Sequence, residues 1–558
     1  MKNLKFSVVI VFVLFLVFCL SGTSFSTACG EYNSVNPLST VDENNDLSDL
    51  VLHNCTSMAA GRLATVGGYT MSGHTCDGSY LDFRLEVVPA AKHSPGEFVV
   101  IDYPGIPGGE SHDVLGKTPI PQVPYTYKWF KTEVPIGNEY QVFIGENTCS
   151  SRSELETLTK DTAWLDWFWL PALGLQRGKT AREVVETMGF LVEHYGLRGD
   201  AESFLISDPY EAWVMEIPGW TNEWVAERVP DDQVAIHANR LKIQVVDLND
   251  TNNFLASPNL IKLAQDRGFY NPATDGPFNF EKVYSSKSSR ESLGNRRREW
   301  RMVSLLCPSQ NWDPNAIEYP FSGKPEFPIS VEWWINNVWR DSYEGTPFDL
   351  TKGIAAGPFG NPIRQSIKGL SFERAIATPA TCYSWVSQAR SWLPDPIGGV
   401  FWHSMDSGRN SIYVPFYVGI TDTPTCWRTG DMTKFSSDSA WWWFQALDTI
   451  SQVRYNEIHS TIRESFDAFE KAEFEAQKDV EQQALNLYYQ GPFTSNLINP
   501  ASGRPFSSYT EYLTYYSSSK AEQAKNLAQD MFFSILLKYR DGLPRTTVSS
   551  DWMELLKK

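Results

Sequence analysis

The cysteine at position 55 and the residues that follow it constrain the fold more than any other part of the sequence. Cys55 begins a short extended pattern at 56–60, and a second extended run follows the Gly-Gly pair at 67–68. Two antiparallel strands joined by such a turn would bring Asp77 close to Cys55. If the chain is cut after Asn54, Cys55 gains a free α-amine, which titrates near ~7.7–8.0 and can accept the thiol proton. On spacing alone, a small buried cysteine without a catalytic role is the commoner alternative.

The first 28 residues have the pattern of a secretory signal peptide. Two lysines precede an apolar run at 6–20, and small residues then lead to a cleavage site after Ala28. The run is shorter than the ~20 residues of a spanning helix, so we predict no stable membrane span. Residues 29–54 are polar and acidic, which is typical of a pro-segment that is removed on maturation. A bacterial lipid-anchoring motif at Cys29 is the alternative, but Ser26 stands where a leucine is expected.

A signal peptide implies the secretory pathway and a secreted or lysosomal product. The formal net charge is −18, and about −20 without residues 1–28, so we do not predict a nucleic-acid partner. Asn249 begins an Asn-Asp-Thr sequon, which is typical of N-glycosylation on that route. If Cys55 is free, an odd number of cysteines follows it, which permits up to two disulfides without defining their pairing.

The secondary-structure signals favour an α+β fold. Strands are predicted at 139–149, 203–207, 212–217, 224–228 and 233–237, and two more strands are predicted within 397–420. The four runs from 203 to 237 are typical of an antiparallel meander. Helices are predicted from Thr180 to Gly196, within 438–490 and at 520–539. Antiparallel strands with helices set apart argue against a doubly wound parallel sheet. Without a linker or repeat, we predict one catalytic body at 55–435 and a helical C-terminal region at 436–558 that packs on it.

Several common catalytic motifs are absent from the sequence. It contains no His-Glu-x-x-His zinc motif, no Cys-x-x-Cys pair and no Gly-x-Ser-x-Gly nucleophile elbow. The eight histidines are scattered along the chain. These observations weaken interpretations as a metal hydrolase or serine esterase, but they do not establish cysteine chemistry.

A series of motifs runs in order from Cys55 to roughly residue 540. They are Cys55-Thr56-Ser57, Gly73-His74-Thr75-Cys76-Asp77, Ala181-Arg182-Glu183, Glu202-Ser203-Phe204, Asp208-Pro209, 211–216, 228–232, His237-Ala238-Asn239, 390–399, Tyr413-Val414-Pro415 and 438–442. This series resembles the PepD-type dipeptidases, which are N-terminal-nucleophile cysteine hydrolases related to penicillin V acylases and bile salt hydrolases. The resemblance implies an αββα sandwich, in which two antiparallel sheets lie face to face between helical layers, with a C-terminal helical extension.

The resemblance also implies a set of site residues. Cys55 would be the nucleophile, its freed α-amine the general base, and Asp77 the residue that holds the amine. Asn147 would donate to the oxyanion through its backbone N–H, and Asn239 through its side-chain amide. One such donor is worth roughly 3–4 kcal/mol of transition-state stabilisation. No metal or organic cofactor is implied.

The sequence departs from the family pattern at two places. His74 stands where the relatives usually have arginine, and an imidazole near the thiolate would carry a charge that depends on pH. A late-strand arginine of the relatives falls near Ala380, where Arg374 or Arg390 could replace it.

Together these features predict a hydrolase that cleaves dipeptides through a thioester on Cys55. A hydrolase of other small amides, such as N-acyl amino acids or lipid amides, is one alternative. A catalytically silent family member that binds a partner or has a structural role is another. The sequence leaves open whether the protein is a homo-oligomer.

Overall fold

In the computed structural model of the protein, the described residues are 55–103, 105, 115–363, 373–491, 497–545, 547–548 and 550–557. The predicted signal peptide (1–28) and pro-segment (29–54) lie outside them. The strands are β1 (Thr56–Ala60), β2 (Met71–Asp77), β3 (Glu86–Val88), β4 (Ala91–Lys92), β5 (Phe98–Ile101), β6 (Gly116–Pro121), β7 (Tyr125–Thr126), β8 (Trp129–Lys131), β9 (Gly137–Asn138), β10 (Phe143–Cys149), β11 (Ala201–Ser207), β12 (Ala212–Ile217), β13 (Val225–Val229), β14 (Val234–His237), β15 (Phe254–Ala256), β16 (Ser322–Gly323), β17 (Thr381–Gln388), β18 (Val400–Met405), β19 (Val414–Tyr417), β20 (Ile498–Asn499) and β21 (Arg504–Pro505).

The helices differ widely in length, and the longest follow the last strand of the large sheets. They are α1 (Trp169–Arg177), α2 (Ala181–Tyr195), α3 (Leu260–Asp266), α4 (Phe280–Tyr284), α5 (Lys287–Glu291), α6 (Leu293–Leu306), α7 (Val331–Trp334), α8 (Asp395–Gly398), α9 (Ala440–Ser451), α10 (Tyr455–Gln490), α11 (Tyr509–Lys538) and α12 (Ser550–Leu555). No helix of the described ranges is both long and apolar enough to span a membrane.

Two large sheets form the centre of the protein. The first sheet has the strand order β16-β14-β1-β2-β17-β18-β19, and the second has the order β15-β13-β12-β11-β10-β9-β8-β3. Neighbouring strands are antiparallel throughout both sheets. In the first sheet, β1 lies between β2 and β14, with Thr56 opposite Thr75 and Ser57 opposite His237. The start of β1 is therefore level with the ends of β2 and β14.

The two sheets meet closely beneath the start of β1. Gly145 of β10 permits this approach, since a Cβ atom at this position would lie 3.1 Å from both the carbonyl oxygen of Gly73 and Oγ of Ser57. Ser57 Oγ donates to the carbonyl of Glu146 at 2.9 Å, and Ser72 Oγ donates to Ser207 Oγ at 2.6 Å. Polar bonds thus tie the two sheets together where they are closest.

Helices cover the outer face of each sheet. Helices α1 and α2 share an apolar core with β10, β11 and β12 of the second sheet. Helices α9, α10 and α11 share another core with β17, β18 and β19 of the first sheet, while α6 and α7 pack against β1 and β2. This arrangement is the αββα sandwich with C-terminal helices, so the predicted α+β fold is confirmed. The proposed division between residues 435 and 436 stays a prediction.

The predicted helix signals have clear structural counterparts. Thr180 caps α2 by accepting a hydrogen bond from the backbone N–H of Glu183, and Gly196 ends the helix with φ 68°. The charged stretch at 438–490 forms two helices, α9 and α10, separated by residues 452–454. The last long helix, α11, begins eleven residues earlier than the periodicity indicated, at Tyr509.

The expected four-strand meander is wrong in its last strand. Strands β11, β12 and β13 are neighbours in the second sheet, but β14 crosses to the first sheet and pairs with β1. The crossing occurs at Pro230-Asp231-Asp232, because this turn is bound to the loop after β1. Leu63 N donates to Asp231 O at 2.7 Å, and Gly61 N donates to Gln233 O at 3.0 Å.

The disulfides that the cysteine count permitted do not form among the described residues. Each of the six cysteines from Cys55 onwards has a free thiol. Most of them lie in separate cores: Cys307 packs with α6, Cys382 with β17 and Cys149 with the second sheet. Cys76 lies beside Cys55 and shares the core of Cys382, yet all three thiols are free.

Candidate active site

Cys55 lies directly before β1, and its backbone carbonyl is held from two sides. Asn147 Nδ2, from β10 of the opposite sheet, donates to this oxygen at 2.6 Å. Arg298 Nη1, from α6, donates to the same oxygen at 2.7 Å and to Thr56 Oγ1 at 2.9 Å. The Cys55 side chain is only 2% exposed. Both sheets and a covering helix therefore meet at this residue.

Asp77 ends β2 at the same edge of the sheet. Its carboxylate accepts hydrogen bonds from Thr381 Oγ1 at 2.6 Å and from Thr75 Oγ1 at 3.0 Å. The Thr75 hydroxyl also accepts from the backbone N–H of Thr56 at 3.2 Å. A chain of hydrogen bonds thus connects Asp77 to the residue that follows Cys55.

Arg374 adds a positive charge to this carboxylate. Its Nη2 lies 2.5 Å from Asp77 Oδ2. Arg390, the other arginine considered as a replacement for the family residue, instead pairs with Glu481 of α10 and binds the carbonyl of Gly398. Of the two arginines, the fold brings only Arg374 to Asp77.

Asn239 follows β14, which lies on the side of β1 opposite β2. Its φ of 58° lies in the left-handed region, which asparagine tolerates better than most residues. Nδ2 donates to the carbonyl of Thr148 at 2.8 Å, and Oδ1 accepts from Arg298 Nη2 at 2.8 Å. Arg298 thus links Asn239 to the Cys55 carbonyl.

Asn147 lies next to Cys55 as the resemblance implied, but the contact is made by its side chain. The backbone N–H was the expected donor, whereas Nδ2 is the atom that binds Cys55. The strand register places Asn147 opposite Ser203 of β11. The role of the backbone N–H stays a prediction.

His74 is completely buried, and its ring lies close to the Cys55 sulfur. Burial lowers the pKa of its imidazole to about 3, so the ring is neutral at physiological pH. Neither ring nitrogen has a hydrogen-bond partner among the described residues, and the nearest carboxylate oxygen, Glu146 Oε2, lies 3.9 Å from Nε2. The pH-dependent charge expected for this histidine would therefore appear only in strong acid.

Cys76 completes a cluster of two thiols and one imidazole. The ligand atoms of Cys55, His74 and Cys76 all lie within 4.8 Å of one another. A hydrogen bond to Cys76 and burial raise the pKa of the Cys55 thiol well above its usual value, and Glu146 raises it further. Burial likewise raises the pKa of Cys76, to about 12. In the uncut chain, both sulfurs are therefore neutral thiols.

Sequence reasoning missed Arg298, whose side chain binds Cys55, Thr56 and Asn239. Burial lowers its pKa to about 9, with a smaller contribution from Arg374. It belongs to the triplet Arg296-Arg297-Arg298, which is a visible signal. The triplet does not show which of the three arginines turns towards Cys55, because that depends on how α6 packs.

Comparisons with known proteins identify the family. The profile described as Peptidase family C69 matches residues 54–467. A protein named "Probable dipeptidase" from Latilactobacillus sakei is 27% identical over 448 residues, which cover 77% of this chain and 85% of the relative. A "Probable dipeptidase B" from Lactococcus lactis is 25% identical over 75% of this chain and 85% of its own length. A "Dipeptidase" from Bifidobacterium longum is 25% identical, with 70% and 75% covered. The chain therefore belongs to peptidase family C69, and it is a peptide-bond hydrolase.

Proposed function

We propose that the protein hydrolyses dipeptides through a thioester on Cys55, after removal of the residues up to Asn54. The names of the relatives supply the substrate class. The assignment of Cys55 as the nucleophile rests on the hydrogen bonds that hold its backbone. Its carbonyl accepts from Asn147 and Arg298, and the next N–H donates to Thr75. None of these bonds involves residue 54, so a terminus created at Cys55 would stay in place.

The cut would also supply the missing base. In the uncut chain the nitrogen of Cys55 is an amide, which cannot accept the thiol proton, and the raised pKa of the thiol keeps it protonated. A free α-amine titrates near ~7.7–8.0 and lies two bonds from the carbon that carries the sulfur. Asp77, which is linked through Thr75 to the backbone of Thr56, is the proposed negative charge that holds this amine.

The reaction then proceeds in two halves. The sulfur attacks the scissile carbonyl carbon while the amine takes the thiol proton, and this proton passes to the leaving nitrogen as the C–N bond breaks. The C-terminal amino acid leaves, and the N-terminal one stays as a thioester. Water, deprotonated by the same amine, attacks the thioester and restores the thiol. The side-chain amide of Asn239 is the proposed donor to the oxyanion in both halves.

A charged cavity, whose lining begins three residues after Asn147 in the chain, fits a small zwitterion. It has a volume of about 650 Å³ and begins one residue after β10, at Ser150. Its lining carries both signs of charge, from Arg152, Glu154, Glu156, Asp200, Lys282, Lys287 and Arg290. Ser289, next to Arg290, donates to the carbonyl of Asn239 at 3.0 Å. A dipeptide with a free amine and a free carboxylate matches such a lining better than a lipid amide.

We also propose that the protein acts in the secretory pathway, as a secreted or lysosomal enzyme. The support is the signal-peptide pattern together with the position of Asn249. This asparagine lies on an exposed loop between β14 and β15, where a glycan could be attached without disturbing the core.

Intact mass and N-terminal sequencing of the mature protein test the proposed terminus. We expect a terminus at Cys55 and hydrolysis of dipeptides in preference to N-acyl amino acids and lipid amides. Cys55→Ser should abolish the hydrolysis, whereas Cys307→Ser, a buried thiol of another core, should not. An active protein with intact residues before Cys55, or full activity of Cys55→Ser, would refute the mechanism. Equal rates on acyl amides would refute the substrate class.

A further inference from the structure

The cluster of Cys55, His74 and Cys76 has a composition that the proposed hydrolysis does not require. The mechanism uses one thiol and one amine, yet a second thiol and an imidazole lie against the nucleophile. All three side chains are at most 2% exposed. Within the described ranges, this is the one group of three such ligands whose atoms lie within 4.8 Å of one another.

The strand pairing explains why the three side chains converge. Thr56 pairs with Thr75, which brings Cys55 opposite Cys76 across β1 and β2. His74 and Cys76 are two residues apart on β2 and so point to the same face. Two of the three ligands therefore lie on β2, and the third directly precedes β1, where the strand pairing fixes its position.

His74 supplies independent evidence for a missing ligand. Its imidazole is wholly buried, and both nitrogens lack a hydrogen-bond partner among the described residues. Buried polar atoms of proteins are nearly always paired, and an orphaned one requires an explanation such as an absent ion. An imidazole nitrogen without a hydrogen-bond partner can offer its lone pair to a metal.

We propose that Cys55, His74 and Cys76 bind one Zn²⁺ ion, which reversibly holds the mature protein in an inactive state. Zinc prefers thiolate and imidazole ligands in a tetrahedral arrangement, with bonds of about 2.3 Å to sulfur and about 2.0–2.1 Å to nitrogen. Tetrahedral ligand atoms at these bond lengths are about 3.5–3.8 Å apart. The cluster needs to contract by only about 1 Å to reach that spacing, which side-chain rotation can supply.

The surroundings of the cluster suit a dication. Binding releases the two thiol protons, so the two thiolates neutralise the metal. Glu146 and Asp77, which raise the pKa of the Cys55 thiol, favour a cation there, whereas Arg298 and Arg374 oppose it. Ligation through Nδ1 of His74 would leave Nε2 directed at Glu146, in the carboxylate–histidine–metal arrangement common in zinc sites.

The fourth ligand would be the α-amine of mature Cys55. Sulfur and nitrogen of one cysteine then chelate the same ion, which occupies both the nucleophile and the base. The inhibition rests on the proposed function, but the binding does not. In this arrangement Cys55 is both the nucleophile and a zinc ligand. Cys76 and His74 bind zinc without taking part in hydrolysis, so their role would be regulatory.

Calorimetry and cobalt spectroscopy on the mature protein, with a phosphine reductant, test the site directly. We expect one Zn²⁺ per chain and, with Co²⁺, a near-ultraviolet thiolate-to-metal charge-transfer band. Cys76→Ser should weaken Zn²⁺ binding more than about 10-fold, the loss that even an outer-shell change produces, while Cys307→Ser leaves it unchanged. His74→Gln tests the same site independently if Cys76→Ser does not fold.

Each outcome decides the inference. Any of three results would overturn the proposed zinc site. These are a failure to bind one Zn²⁺ per chain, equal Zn²⁺ affinity of Cys76→Ser and the parent, and a cobalt spectrum without the charge-transfer band. Zinc binding without dipeptide hydrolysis would refute the proposed function and leave the metal site standing. Hydrolysis that Zn²⁺ does not inhibit would refute the inhibition alone.

Discussion

The guanidinium of Arg298 binds the backbone carbonyl of Cys55 at 2.7 Å, although the two residues are 243 positions apart in the chain. The same side chain donates to Asn239 Oδ1 and to Asn295 Oδ1. It is completely buried. One cation thus holds the proposed nucleophile and the proposed oxyanion donor at a fixed separation.

Replacement of Arg298 by methionine should therefore lower kcat/KM for dipeptides by about 100-fold, the cost of misplacing reacting groups by about 1 Å. We also expect the free energy of unfolding to fall by at least about 2 kcal/mol, because bonds from a charged donor are lost. Kinetics and urea unfolding measure the two effects. The matched control is Arg297→Met on the same helix, which loses a pair with Glu373. Equal losses of activity in both variants would contradict a positioning role.

Asn239 combines an unusual backbone conformation with a proposed catalytic amide. Asn239→Gly keeps φ near 58° and removes the amide, so kcat should fall by about 10²–10³-fold with little change in KM. Asn239→Ala should lose as much activity and in addition be less stable, since alanine is strained by about 1–2 kcal/mol at positive φ. Steady-state kinetics and thermal unfolding of both variants make the comparison. An Asn239→Gly enzyme with unchanged kcat would exclude the oxyanion role.

We predict that Glu227 of β13 makes the free energy of unfolding depend on pH. Burial, assisted by Glu216, raises the pKa of its carboxyl to about 8, whereas the unfolded chain titrates near ~4.3. The folded state binds more protons in this interval, so Glu227 costs stability progressively as pH rises towards 8. Glu227→Gln should remove this cost and stabilise the protein by more than about 1.4 kcal/mol at pH 8, with a much smaller effect near pH 5. Urea unfolding of Glu227→Gln and the parent at pH 5 and pH 8 measures this difference. Substitution of an exposed residue, Glu475→Gln, is the control.

A side chain at Gly145 should destabilise the contact between the two sheets. In Gly145→Ala the new methyl group would press on the carbonyl of Gly73 and on Ser57, and separating the sheets should cost about 1–3 kcal/mol. Asn147 is two residues away, so activity should also fall. Gly323→Ala on the edge strand β16 meets nothing within 4 Å and should be close to neutral. Thermal unfolding compares the two variants. Equal stability of Gly145→Ala and Gly323→Ala would contradict a close contact between the sheets at Gly145.

Much of the architecture was predictable from local signals. Alternating apolar residues and glycine or proline turns located β1, β2 and β10–β13 within a few residues, and Thr180 with Glu183 predicted the start of α2. The motif order predicted the family and the αββα sandwich. These signals are local because hydrogen bonding within a turn and the alternation of a strand depend on adjacent residues.

Long-range packing decided the rest. The sequence by itself determined that a strand follows Cys55 and that the next strand ends near Asp77, and it predicted that Cys55 could become a terminus. Only the tertiary structure selected Arg298 from a triplet and Arg374 over Arg390, moved β14 into the first sheet and brought Cys76 and His74 against Cys55. The physical reason is that such contacts join residues tens to hundreds of positions apart. Their partners are chosen by how sheets and helices pack, which no short stretch of sequence records.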